Sequence, residues 1–207
     1  MEPCPALELA GTVRHDGAGG IADDLTDGGE EGAARWLRTQ EAGLSAYGFT
    51  AADLAAAAAS GAVREDLVPL RQAVRALFAR VVAPAPPSPA DANRLLSVPD
   101  ALERLNTAAG QQPVTPQLSC LGGDFTHTLL PLAGPGPRVR LTAAVARAAI
   151  GFLTGPEREL LRACTAPRCV RYYLKRHGRQ EYCKPSCGNR ARVARHYRLH
   201  RTAPGTG

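Results

Sequence analysis

Four cysteines crowded near one end of the chain pose the first chemical question. Cys164, Cys169, Cys183 and Cys187 follow the pattern C-x4-C-x13-C-x3-C. Zinc takes four thiolate or imidazole ligands in a tetrahedron, and two short ligand pairs joined by a longer loop supply that geometry. Within the connection VRYYL (170–174) and RQEYC (179–183) flank KRHG, which reads as a hairpin with Gly178 in its turn and basic residues at its tip. Two other uses of these residues compete. Paired disulfides would need an oxidising compartment. His196 and His200 have the H-x3-H spacing of a helix and would join Cys183 and Cys187. However, the gap from Cys187 to His196 is shorter than the ~12 residues usual for such fingers, and Cys164 and Cys169 would be left without a role. The four cysteines are the preferred set, holding one structural zinc with no open coordination position. Cys4 and Cys120 lie far away and read as lone thiols.

A basic segment follows directly. Gly188 is suited to a turn whose amides face a metal-bound thiolate. Asn189 is a favoured N-cap residue, so a helix is expected from Arg190. At ~100° per residue, Arg190, Arg195, Arg198 and Arg201 fall in an arc of roughly 140° with Ala191 and Ala194. Val193 and Tyr197 fall on another face and are expected to pack on the zinc hairpin, with Tyr172, Tyr173, Tyr182 and Tyr197 making its small core. The basic arc, with Lys175, Arg176 and Arg179 at the hairpin tip, suits phosphate contacts, and such a helix fits a DNA major groove.

Charge supports a division of labour. The chain of 207 residues carries a net +6, yet residues 1–157 hold 12 basic and 17 acidic side chains, whereas residues 158–207 hold 13 and two. A mildly acidic body thus carries a module that seeks an anion, with nucleic acid the expected partner and anionic membrane or an acidic protein surface as rivals. The N-terminus lacks the basic start and apolar stretch of a signal peptide, and no stretch is apolar enough to span a bilayer, so the cytoplasm is the expected location. With no G-x-S-x-G elbow, phosphate loop, H-E-x-x-H motif or paired carboxylates, no catalysis is expected.

The elements that must position this module read as helices. Trp36 anchors a helix beginning near Gly32, and Thr50 with Asp53 forms an acidic capping box. Leu67, Leu70, Val74, Leu77, Phe78 and Val81 form the stripe of an amphipathic helix, with Pro69 confined to its first turn. APAPPSPA (83–90) reads as a stiff surface connection, and Pro99 as the break between two short helices. Gly122, Gly123 and Asp124 turn a hairpin. A further helical segment, LTAAVARAAIGFLTG, is followed by PERELLRA, with Pro156 in a first helical turn. The acidic loop from Asp23 to Glu31, His127 and His177 are expected to be solvated or structural.

The stretch CTAPRCVRYYLKRHGRQEYCKPSCGNRARVARHYRLHR resembles the CGNR zinc-finger family, through Cys187-Gly188-Asn189-Arg190 and the cysteine spacing. Leu174, Tyr182 and Arg192 stand where that family usually has aspartate, tryptophan and lysine. Its members usually carry an N-terminal helical region of the ABATE type, a stress-induced transcription regulator, and LELAGTVR resembles the start of that region. The resemblance implies a transcription regulator that binds zinc and DNA, with an adaptor whose zinc is purely structural as the alternative. The expected architecture is mainly α. A helical domain with a small β-hairpin element spans 1–157, a zinc finger of β-hairpin then α-helix spans 158–201, and a disordered tail spans 202–207. A lone short finger generally needs a second reading unit, which a homodimer would supply.

Overall fold

The computed structural model describes residues 4–16, 20–91, 94–132 and 134–201, with only the backbone of Ala46 and Arg201. The expected tail at 202–207 lies outside the described residues. Helices dominate the first half: α1 (Pro5–Ala10), α2 (Gly29–Arg38), α3 (Glu41–Leu44), α4 (Ala51–Ala59) and α5 (Val63–Val82). A small antiparallel ribbon, β1 (Val13–His15) with β2 (Ile21–Asp23), separates the first two. The capping box forms as expected. Thr50 Oγ1 accepts the Asp53 N–H at 3.2 Å, and the Asp53 carboxylate accepts the Thr50 N–H at 2.9 Å.

The axis of the body is α5, against which α1, α2, α6 (Val98–Gly110) and α7 (Pro137–Thr154) pack. Its stripe of Leu67, Leu70, Val74, Leu77 and Phe78 is buried as the spacing predicts, and Trp36 and Leu37 close the core from α2. The alanines of α7 (Ala144, Ala146 and Ala149, all fully buried) leave short side chains between helices, and Phe152 meets Phe78 with ring centroids 5.2 Å apart. Pro69 lies in the second turn of α5 rather than the first. The carbonyl it deprives of a partner belongs to Glu65, an exposed residue that water can serve. Pro99 likewise opens a helix instead of splitting one. It sits in the first turn of α6, capped by Ser97, whose hydroxyl accepts the Asp100 N–H.

Two arginines of α5 were hidden by the amphipathic reading. Arg71 forms a two-pronged pair with Asp23 and donates to Thr12 Oγ1 at 2.9 Å. Burial pushes the Asp23 carboxyl up, but the Arg71 hydrogen bonds and charge outweigh it and hold the group below the usual carboxylate range. The supposedly solvated acidic loop is therefore built into the fold. Asp24 pairs with Arg14, and Glu30 and Glu31 in α2 pair with Arg64 and Arg38. Arg75 is 4% exposed and binds Asp91 through Nε and Nη2 at 2.7 and 3.0 Å. The 83–90 segment is thus only partly a surface connection, since Ser88 and Asp91 turn inwards to meet Arg75.

Beyond α6, β3 (Val114–Leu121) and β4 (Asp124–Pro131) form the expected hairpin. Gly122 and Gly123 both have positive φ, at 62° and 93°, which a two-residue turn of this hand requires. After α7 the expected helix at PERELLRA is replaced by a short 3-10 turn, Pro156–Leu160, and then by β5 (Leu161–Ala163). Extended backbone there lets β5 pair with β6 (Tyr172–Leu174), and pairing overrides local helical preference. The chain ends in α8 (Pro185–Arg201). None of the described helices is long and apolar enough to cross a membrane.

Candidate metal centre

The finger hairpin pairs differently from its sequence reading. Strand β6 runs against β5, on the other side of the first cysteine pair, and not against residues 179–183. Cys164 and Cys169 therefore lie in the loop that closes this hairpin. The Cys164 N–H donates to the Arg171 carbonyl at 2.9 Å, and the Cys169 N–H to Ala166 at 3.0 Å. Arg168 takes a left-handed φ of 62°, which reverses the chain just before Cys169. The second pair comes from the start of α8: Cys183 stands two residues before it and Cys187 lies in its first turn.

The four sulfurs lie within 4.8 Å of one another. Cys169 to Cys183, Cys183 to Cys187 and Cys187 to Cys169 measure 3.7, 3.4 and 3.8 Å. A tetrahedral zinc with ~2.3 Å bonds to sulfur has sulfur–sulfur edges of about 3.8 Å, so one ion fits this set. The separations are far beyond a disulfide bond, and all six cysteines are free thiols. Among the described residues no other group of three or more histidine, cysteine or acidic side chains is placed to hold a metal, so His196 and His200 are not ligands. Their rings instead lie 4.2 Å apart along α8. Cys164, Cys169 and Cys187 are buried, with Ala166, Tyr173 and Tyr182 packed around them.

Charge is handled by the surroundings. Among the thiols alone, hydrogen bonds from Cys164 and Cys183 hold Cys169 down at about 3, while hydrogen bonds with Cys164 and Cys169 push Cys183 far above the usual thiol range. Four thiolates on one zinc leave two surplus negative charges. Arg190 meets them directly, donating from Nη2 to Cys187 Sγ at 3.1 Å. The positive end of the α8 dipole points the same way. Arg190 is thereby committed to the metal centre.

Helix α8 starts at Pro185, five residues before the expected Arg190. Proline is well suited to a first helical position, so it displaces Asn189 as the start signal. Asn189 sits inside the helix and accepts from Arg192. Gly188 is helical too, not left-handed. Its missing side chain faces the Tyr182 ring, which a Cβ would meet at 3.4 Å.

Of the four tyrosines assigned to the finger core, Tyr173 and Tyr182 belong to it. Tyr172 joins the main core instead, edge-on to Phe78 at 5.5 Å, and Tyr197 is exposed. Val193 is exposed as well, because among the described residues no other element packs extensively on α8. The remaining basic positions divide in the same way. Arg176 pairs with Glu157 at 2.7 Å, and the Lys175 backbone extends the β5–β6 pairing by donating to Leu160. Arg179, Arg195 and Arg198 are exposed, and the Arg201 side chain lies outside what is described. His177 is exposed at the tip and His127 on the β3–β4 hairpin.

A feature that sequence reasoning missed is how firmly the finger is rooted. Leu161, Tyr172 and Leu174 belong to the main hydrophobic core. Arg75 Nη2 donates to the Val170 carbonyl at 3.1 Å, Ser88 Oγ donates to the same carbonyl at 2.8 Å, and the Tyr172 hydroxyl donates to Asp91 at 2.8 Å. The only signal for this was the i, i+4 spacing of Arg71 and Arg75 inside an apolar stripe.

A helical body rooted to a closed four-thiolate site that launches a basic helix defines a structural zinc-finger protein. Residues 161–200 match the family model of the CGNR zinc finger, and residues 4–156 match the model described as "Putative stress-induced transcription regulator", the ABATE domain. The second match covers most of the chain, and the protein belongs to that family, with a CGNR finger holding one structural zinc. None of the curated proteins matches the chain.

Proposed function

We propose that the protein is a DNA-binding transcription regulator in which zinc fixes the launch point of α8 and α8 enters the major groove. One observation carries this reading: α8 runs on from the metal centre with residues 195–200 exposed on every side, bearing Arg195 and Arg198. A bare helix is ~10–12 Å wide, close to the ~12 Å of the major groove. Arg176 and Arg190 are engaged within the fold; the exposed Arg179, Arg195 and Arg198, with Lys175 at the hairpin tip and Arg201 at the helix end, are the candidate phosphate contacts. No catalytic role is proposed, because four thiolates leave zinc no open position for substrate.

The full chain, titrated into fluorescent duplex DNA across a salt series, is expected to bind with a steep inverse dependence on salt. In a chain carrying Arg195→Ala and Arg198→Ala the slope of log K against log salt should fall by about 2, one unit per lost phosphate contact. No binding at low salt, or an unchanged slope, would refute the reading. A second reading, a protein-interaction adaptor, is favoured by Val193, Tyr197 and Leu199, which stand 55, 65 and 66% exposed on the same helix. It is distinguished by retaining its partner after the arginine substitutions.

A further inference from the structure

We propose that the β3–β4 hairpin is a dimerisation arm, whose apolar face packs against the same face of a second copy of the chain. Side chains alternate across a ribbon. Here the register places Val114, Pro116, Leu118 and Cys120 on the same face as Phe125, His127, Leu129 and Pro131. The opposite face carries Thr115, Gln117, Ser119, Asp124, Thr126 and Thr128, with Leu121 and Leu130. The ribbon is thus amphipathic, and the apolar face is the one that association would cover. Its own chain does not cover it, since among the described residues the two strands pack on each other and on no other element to a comparable extent. Leu118 and Phe125 stand 70 and 72% exposed, and Leu129 45%.

Three observations choose a second copy as the occupant. The first is area. Pro116, Cys120, His127 and Pro131 are exposed beside Leu118, Phe125 and Leu129, so the accessible face runs the whole length of the ribbon, as an interface of the standard ~800 Å² per partner requires. The second is charge. Asp124 is the one charged residue between Val114 and Pro131, and it lies on the polar face, so two such faces meet without repulsion although the chain is basic. The third is the nature of the edges. Pro116 in β3 and Pro131 in β4 lack the N–H that strand addition needs, so the ribbon is suited to association through its face and not through its edges. A lone hairpin of two eight-residue strands is only marginally stable in water, and pairing of two such faces supplies the missing cover.

Sedimentation equilibrium of the zinc-loaded full chain at micromolar concentration tests this independently of what α8 contacts. The expected mass is twice the 21.8 kDa of the chain. Leu118→Glu combined with Phe125→Glu should give a monomer with unchanged zinc content and helical circular dichroism. A chain with residues 115–130 replaced by a short Gly-Ser linker should do the same. Thr126→Glu with Thr128→Glu, on the polar face, should remain dimeric. A monomeric wild type would overturn the proposal. So would a dimer that survives the Leu118 and Phe125 substitutions or the linker, or one that the polar-face substitutions dissociate equally.

Discussion

Cys187→Ser is expected to abolish zinc retention and unfold the finger while leaving the helical body intact. The core around the metal consists of four cysteines with Ala166, Tyr173 and Tyr182, far too little apolar surface to order 30-odd residues unaided. Binding of a structural zinc is therefore folding free energy for this segment, on the order of 10–16 kcal/mol in comparable small fingers. Cys187 is the sensitive position because it is fully buried, sits in the first turn of α8 and receives Arg190. Its loss removes a ligand and leaves the Arg190 guanidinium facing a neutral hydroxyl. Metal analysis after gel filtration should give about one zinc per wild-type chain and only traces in the variant, with proteolysis newly admitted beyond Tyr173. The body should keep its cooperative melt, because β5 and Tyr172 are held by the main core and not by the metal. Acid should mimic the substitution, since protons compete with zinc for each thiolate, and zinc should be regained on neutralisation. Full zinc retention in Cys187→Ser would show that the fourth ligand lies elsewhere.

The metal centre was legible in the sequence because ligation is local. Cys164 with Cys169 and Cys183 with Cys187 each form a unit spanning a few residues, and spacing alone states the chemistry. The capping box at Thr50 and the Gly122–Gly123 turn were legible for the same reason. What escaped was decided by partners remote in sequence. A three-residue strand such as β6 has no periodicity, and its pairing with β5 depends on how the Cys164–Cys169 loop folds back. Arg71 finds its carboxylate 48 residues upstream and Arg75 finds its own 16 residues downstream, beyond the reach of any helical template. The start of α8 is ambiguous in sequence because Asn189 and Pro185 are both helix-start signals, and the chain uses the earlier of the two. Exposure of Val193 and Tyr197 follows from the direction in which α8 leaves the metal, a property of the assembled site rather than of either residue.

That remote network yields the other large effect. Asp91→Ala is expected to cost about 3–5 kcal/mol, the usual penalty for stripping a buried charge of its partner. Arg75 is 4% exposed, and Asp91 binds two of its nitrogens, so no water can replace the lost carboxylate without opening the junction of α5, the 88–91 turn and the finger root. Domains of this size have roughly 5–15 kcal/mol to lose, so the variant should melt at markedly lower urea. Asp91→Asn keeps one acceptor and should fall between. The diagnostic measurement is a double-mutant cycle with Tyr172→Phe, because the Tyr172 hydroxyl donates to Asp91 and accepts from the Ser88 N–H. If the network ties the finger root to the body, removing that hydroxyl should cost at least about 1 kcal/mol in the wild type and distinctly less once Asp91 is gone. Strictly additive costs would mean that the Tyr172 hydroxyl acts independently of Asp91, through the Ser88 N–H alone. Coupling would instead make body and finger one cooperative unit, in which a change in α5 is felt at Val170, next to the zinc ligand Cys169, and through it at the base of α8.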